Sequence, residues 1–122
     1  MRLAVGGLAL LMLAACADKT GAPRAFAGAD PVEGLRLIDR HGCAACHRIP
    51  GVAWPEGRTG GSLAGVGARP MLAGRLPNQP RVMAIFVRDA SLLAPDIGMP
   101  PMPLTEAEAR DVAAYLYTLD DD

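Results

Sequence analysis

The chain has 122 residues, which is enough for one domain, and carries a formal net charge of −1 at pH 7. This charge argues against a nucleic-acid-binding protein. Hydrophobic residues make up 51% of the chain but aromatic residues only 4%, so few large side chains are available to fill a core. Because small domains with thin cores usually need a disulfide, a metal or a bound cofactor, the composition predicts one of these.

The N-terminus has the features of an export signal. Arg2 precedes an apolar run over residues 3–15, which is shorter than the roughly 20 residues of a membrane span. The run ends in Leu13-Ala14-Ala15-Cys16, which resembles a bacterial lipobox, where cleavage precedes a lipid-bearing cysteine. An Ala-x-Ala cleavage site at residues 15–17, which would release a soluble protein, and an uncleaved anchor are the alternatives. We predict a signal peptide over 1–15, lipidation of Cys16 and a flexible tether over 16–29, followed by a domain over 30–122.

The domain is predicted to begin with a helix over about residues 31–41. Asp30 is placed as its N-cap before a proline. Val32, Leu35 and Ile38 form one apolar stripe, and Gly42 is a plausible end. Residues 48–70 are rich in glycine and proline and predict a long irregular loop. Inside a compact domain, a loop of this length is expected to wrap something.

Two further helices are expected. After a possible helical turn at 70–75, Asn78 could cap a helix that runs to about Arg88, with an apolar face of Val82, Ile85 and Phe86. Residues 94–103 are irregular and rich in proline and methionine. A capping box at 105–108 then opens the clearest helix, which should run to about residue 119. Its apolar positions are Ala109, Val112, Ala113, Leu116 and Leu119. No strand is convincing, so the domain is predicted to be all-α with long loops.

The segment Cys43-Ala44-Ala45-Cys46-His47 carries the most specific chemical signal, and four chemistries compete for it. A thioredoxin-like redox pair would need a βαβ pattern, which is missing. A zinc site needs four ligands, and only His41 and carboxylates remain beyond the motif. A structural disulfide would not require His47. Covalent haem uses all three residues, because both thiols add to haem vinyl groups and the histidine ligates the iron. The haem would also supply the missing apolar bulk, so we favour it.

A second axial ligand would have to come from distant chain. His41 is expected to be solvated or to cap a helix end, whereas methionine is a natural soft donor. Met71 and Met83 fall in helical patterns and are expected to fill the core. Met99 and Met102 lie between prolines that stiffen the backbone, and spacing alone barely separates these two.

From about residue 30 to 119 the sequence resembles a small bacterial class I cytochrome c. The likeness rests on the order of helix, Cys-x-x-Cys-His, glycine-rich loop, Met-Pro loop and final helix ending in Ala-Tyr-Leu. It implies an all-α fold of three to five helices around one covalent haem c, whose first and last helices cross where Gly34 meets Tyr115. In the family the ligand methionine precedes proline, and in bacterial members that read Met-Pro-Pro the sixth residue after it is a helix cap, which favours Met99 over Met102. The family usually has proline where Gly61 stands, yet a carbonyl remains here to orient His47.

This resemblance implies a one-electron carrier, not an enzyme, with His47 and Met99 as axial ligands. The expected setting is a respiratory chain on the periplasmic side of a bacterial membrane, with the monomer anchored by lipid; a soluble periplasmic form is the alternative. A bc-type complex, a terminal oxidase or a periplasmic dehydrogenase are the expected redox partners. Seven arginines and one acidic residue lie between residues 40 and 88, either as solvated loops or as a basic docking face. Rival functions are a haem-bearing subunit or sensor of a larger complex, a haem enzyme with a labile methionine, and a haem-free disulfide module.

Overall fold

A computed structural model describes residues 26–120. Its α-helices are α1 (Pro31–Arg40), α2 (Pro80–Arg88) and α3 (Glu106–Tyr117), joined by 3₁₀ turns at Cys43–Ala45 and Ala90–Leu92 and by a small antiparallel hairpin of β1 (Met71–Leu72) and β2 (Leu76–Pro77). The predicted signal peptide and Cys16 lie outside the described residues, and the domain boundaries stay a prediction. Within residues 26–120, no helix is long and apolar enough to cross a membrane.

Helix α1 begins and ends as the sequence predicts, but it buries a different face. The Asp30 carboxylate accepts hydrogen bonds from two backbone N–H groups of the first turn, at 2.8 and 3.3 Å. After the helix, Gly42 reverses the chain with a φ of +67°, which glycine adopts at little cost. The buried residues are Gly34, Leu37 and Ile38. The predicted stripe is therefore wrong at Val32, which is 61% exposed.

The region before α2 differs from prediction in two ways. A hairpin stands where a helical turn was expected over residues 70–75, because Ala73 and Gly74 both adopt positive φ and reverse the chain between β1 and β2. Gln79 occupies the N-cap position of α2. Asn78 is instead buried, with its amide nitrogen donating to the carbonyls of residues 66 and 69, each at 2.8 Å. Tyr117 donates to its amide oxygen at 2.8 Å. Asn78 therefore joins the long loop to α3.

The buried face of α2 is also shifted from the predicted one. Met83 and Val87 are its buried residues, whereas Ile85 is 36% exposed. Met83 fills the core as expected. Met71 does not, because it lies on β1 and is 40% exposed.

Helix α3 closely follows the predicted pattern. Thr105 accepts a hydrogen bond from the Glu108 N–H at 3.2 Å, and the Glu108 carboxylate accepts one from the Thr105 N–H at 2.8 Å. This reciprocal pair confirms the capping box. The helix ends at Tyr117, two residues earlier than predicted. Its buried residues are Ala109, Val112, Ala113, Ala114, Leu116 and Tyr117.

The crossing of α1 and α3 depends on a glycine. A Cβ atom at Gly34 would lie 2.6 Å from the Asp111 carbonyl carbon and 3.0 Å from the Tyr115 Cβ. The predicted meeting of Gly34 and Tyr115 is therefore confirmed, and the closest approach is to the α3 backbone itself. The Asp30 N–H also donates to the Asp111 carboxylate at 2.8 Å, which joins the start of α1 to α3. These contacts confirm that the terminal helices cross, and apart from the short hairpin, which was not predicted, the described fold is all-α as expected.

Candidate haem-binding site

The turn after α1 brings the motif cysteines and histidine into a single helical turn. The backbone N–H groups of Cys46 and His47 both point to the Cys43 carbonyl, at 3.2 and 3.0 Å. Both cysteines are free thiols; Cys43 is half-buried and Cys46 is exposed. Burial raises the pKa of the Cys43 thiol. The site thus offers two reduced sulfur atoms and one imidazole within five residues.

The glycine-rich loop wraps closely around this turn. Gly57 donates its N–H to the Ala44 carbonyl at 2.8 Å, and Gly60 donates to the Cys46 carbonyl at 2.7 Å. A Cβ at Gly57 would collide with the backbone of Ala45 and Cys46. The loop can therefore approach only because this position has no side chain. Sequence reasoning missed the roles of Gly57 and Gly60, for which glycine enrichment after the motif was the available signal.

The same loop fixes the tautomer and orientation of His47. Its Nδ1 lies 2.8 Å from the Gly61 carbonyl oxygen. Because a carbonyl only accepts hydrogen bonds, Nδ1 carries a proton, and in the neutral ring the lone pair is then on Nε2. A Cβ at Gly60 would lie 2.6 Å from Nδ1 and 2.9 Å from Nε2, so Gly60 packs against the ring. The Gly61 carbonyl therefore orients His47 as expected, even without the proline.

Helix α3 holds the chain just beyond the motif. The Tyr115 hydroxyl donates to the Pro50 carbonyl at 2.6 Å, and burial raises the pKa of Tyr115. The next residue, Gly51, has a φ of +88°, and a Cβ there would collide with the Tyr115 hydroxyl. This contact ties α3 to the segment that leaves His47. The sequence signalled the packing of Tyr115 but not this hydrogen bond.

The two candidate methionines have different surroundings. Met102 donates its backbone N–H to the Arg88 carbonyl at 2.8 Å, and its side chain packs against the core. Met99 is half-buried in the irregular segment between the second 3₁₀ turn and α3. Among residues 26–120, the hydrophobic core and the side chains packed on it do not include Met99.

The donor set fits a c-type haem. Two free thiols lie in one turn beside an imidazole whose Nδ1 is held by the backbone, so that Nε2 is the nitrogen left to ligate a metal. In the described part of the chain, no three or more His, Cys, Asp or Glu side chains lie close enough together to hold a metal ion by themselves. The geometry thus defines a class of protein: one that binds haem through a Cys-x-x-Cys-His segment.

Comparison with known proteins supports the assignment to this class of haem-binding proteins. The profile of the cytochrome c family matches residues 31–120, and the chain belongs to that family. The fold is similar to the crystal structure of cytochrome c2 from Rhodobacter sphaeroides, with a TM-score of 0.58 and 21% identity over 77% of this chain and 98% of that one. A comparison with curated proteins gives no match. As a family member, the chain is an electron carrier with one covalently attached haem c, and it is not an enzyme.

Proposed function

We propose that this protein is a one-electron carrier of a respiratory chain on the periplasmic side of a bacterial membrane. His47 and Met99 would be the axial ligands of an iron whose porphyrin is bonded to Cys43 and Cys46. The observation that carries the proposal is the 2.8 Å contact between His47 Nδ1 and the Gly61 carbonyl. This contact would leave Nε2 as the ligand atom and raise its basicity.

Support for Met99 comes from its surroundings and its backbone. The Met102 side chain packs against the hydrophobic core. In the described part of the chain, Met99 is neither in the core nor packed on it. Pro100 and Pro101 follow Met99 and fix two consecutive φ angles, which limits how far the thioether can move. The haem supplies the ferric/ferrous couple, and thioether ligation favours the ferrous state.

Electron exchange is proposed at the exposed Cys46 edge. Arg48 and Arg58 flank this edge in sequence, are exposed, and make no ion pair with residues 26–120. Other arginines of the predicted basic face are engaged: Arg75, for example, makes a two-pronged contact with Asp96 at 2.9 and 3.0 Å. The charges of Arg48 and Arg58 are therefore available beside the motif. They would orient an acidic partner over long range, an effect that weakens with salt.

The proposed setting follows from the N-terminal sequence. The export signal would deliver the chain to the periplasm, where lipidation of Cys16 would anchor it to the membrane. A bc-type complex, a terminal oxidase or a periplasmic dehydrogenase would then be within reach as donor or acceptor. A tether raises the effective concentration of carrier at such a partner.

The ligand assignment is tested with two matched variants of the haem-loaded protein, Met99→Ala and Met102→Ala. We expect the sulfur-to-iron charge-transfer band of the oxidised spectrum to disappear only in Met99→Ala. Carbon monoxide should then bind the reduced Met99→Ala protein at neutral pH but not the wild type. Loss of the band in Met102→Ala alone would assign the ligand to Met102, and carbon monoxide binding by the wild type would favour a haem enzyme.

A further inference from the structure

A groove lies between α2, α3 and the start of the described chain. It has a volume of about 380 Å³. Phe26, Ile85 and two alanines form its apolar part, and Ile85 is 36% exposed. Its charged residues are Arg81, Arg88, Arg110 and Glu106. None of these residues belongs to the Cys-x-x-Cys-His segment or to the loop that wraps it.

The groove carries a local positive charge. Three arginines against one glutamate leave a formal charge of +2, in a chain whose total is −1. Arg88 and Arg110 share Glu106, at 3.7 and 3.9 Å, and such long, exposed pairs contribute little. Arg81 makes no ion pair within residues 26–120. The groove is therefore suited to an anionic ligand that also presents apolar surface.

Two segments of this chain are unsuitable occupants. Residues 17–25 contain one acidic and two basic side chains, so their charge does not complement the groove. The acidic C-terminus follows the far end of α3, a helix of 12 residues and about 18 Å, whereas Glu106 and Arg110 lie at its beginning. Neither segment supplies the missing negative charge at the groove.

The position of the groove in the chain points to a membrane. Phe26 lines it, lies 5.9 Å below the Arg110 guanidinium, and follows Cys16 by only ten residues. A fully extended segment of that length spans at most about 35 Å. A lipid on Cys16 would thus keep the groove close to phospholipid headgroups, whose phosphates suit the forked geometry of arginine.

We propose that this groove binds the anionic phospholipid surface of the membrane that holds the anchor, and so orients the domain on it. Basic residues close to a membrane strengthen attachment to anionic lipid, and a lipid chain holds a protein more firmly when a basic patch assists it. The proposal rests on the proposed lipid anchor, and it is independent of the redox role.

The test uses the haem-loaded mature chain from residue 16 with Cys16→Ser, exported behind a signal peptide whose cleavage does not need lipidation, so that neither residues 1–15 nor an acyl chain contributes. Its binding is measured to phosphatidylcholine vesicles with and without phosphatidylglycerol. We expect binding only with phosphatidylglycerol, weakened by salt. Arg81→Gln and Arg88→Gln should each lower the affinity about fivefold. Arg48→Gln and Arg58→Gln make the same charge change outside the groove and should leave the affinity unchanged.

Equal losses in both pairs of variants would overturn the proposal, because net charge alone would then explain binding. Binding that does not depend on phosphatidylglycerol would also overturn it. Release of the protein from the vesicles by inorganic phosphate, beyond the release by chloride at the same ionic strength, would also overturn it. The groove would then be a site for a soluble anion. Electron exchange with a small soluble mediator should be normal in Arg81→Gln and Arg88→Gln, which separates a failure here from a failure of the redox role.

Discussion

Replacing Gly60 by alanine tests how the loop holds His47. The added methyl group would lie 2.6 Å from Nδ1 and 2.9 Å from Nε2, whereas ordinary carbon contacts lie at about 3.5–4.0 Å. The ring must therefore move by about 1 Å. This movement would lengthen the 2.8 Å contact to the Gly61 carbonyl beyond the usual limit of about 3.2 Å for an N–H···O bond.

The expected shift in midpoint potential follows from the energy of this hydrogen bond. Its net contribution is about 1 kcal/mol, and for a one-electron couple this corresponds to about 40 mV. Donation from Nδ1 makes the imidazole more basic and so favours ferric iron. Its loss should raise the midpoint potential of Gly60→Ala, by at most about 40 mV. Spectroelectrochemical titration of the haem-loaded protein measures this shift.

Gly61→Ala is the matched control. A Cβ at Gly61 meets nothing within 4 Å, and the substitution keeps the carbonyl that accepts from His47. Its midpoint potential should equal that of the wild type. Equal shifts in the two variants, or an unshifted potential in Gly60→Ala with a full haem content, would refute the reasoning that the loop holds the ring through these contacts.

Four further substitutions test the scaffold by thermal or denaturant unfolding. Gly34→Ala should lower the free energy of unfolding by about 2 kcal/mol, because overpacking against Asp111 exceeds the gain in helix propensity; unchanged stability would mean that the helices do not cross so closely. Thr105→Ala should cost about 1 kcal/mol. Hydrogen bonding to the Thr105 N–H lowers the pKa of Glu108, so the ionised side chain stabilises the fold above its unfolded pKa, and this stabilisation is lost as pH falls. Glu108→Gln should therefore make the free energy of unfolding less dependent on acidic pH. An unaltered pH profile would contradict the capping box. Asn78→Ala should cost about 3 kcal/mol, because buried partners lose their hydrogen bonds, and a loss below 1 kcal/mol would show that they find water.

Local signals predicted the helix boundaries well. A cap needs only residues within one turn, so Asp30 and the pair Thr105 and Glu108 could be recognised directly from the sequence. The Cys-x-x-Cys-His segment is equally local, because its two thiols and His47 lie within five consecutive residues and need no distant contact to be recognised.

Features set by distant contacts could not be predicted in the same way. Helix α1 carries apolar residues on two faces, and its crossing with α3, not periodicity, decides that Leu37 is buried and Val32 exposed. Asn78 has the chemistry of a cap, yet its amide serves carbonyls 9 and 12 residues earlier. The sequence favours Met99 over Met102 only through the family resemblance, because which thioether packs on the core is decided by distant contacts.

The central claim is that one haem is bonded to both Cys43 and Cys46. Intact-mass analysis of the denatured protein, exported from a haem-attaching host, tests it most directly. We predict a mass increase of one haem that persists after acidic organic extraction, and no residual free thiol on these two cysteines. A cooperatively folded protein with no added mass, or a haem that is extracted while both thiols remain free, would contradict the account.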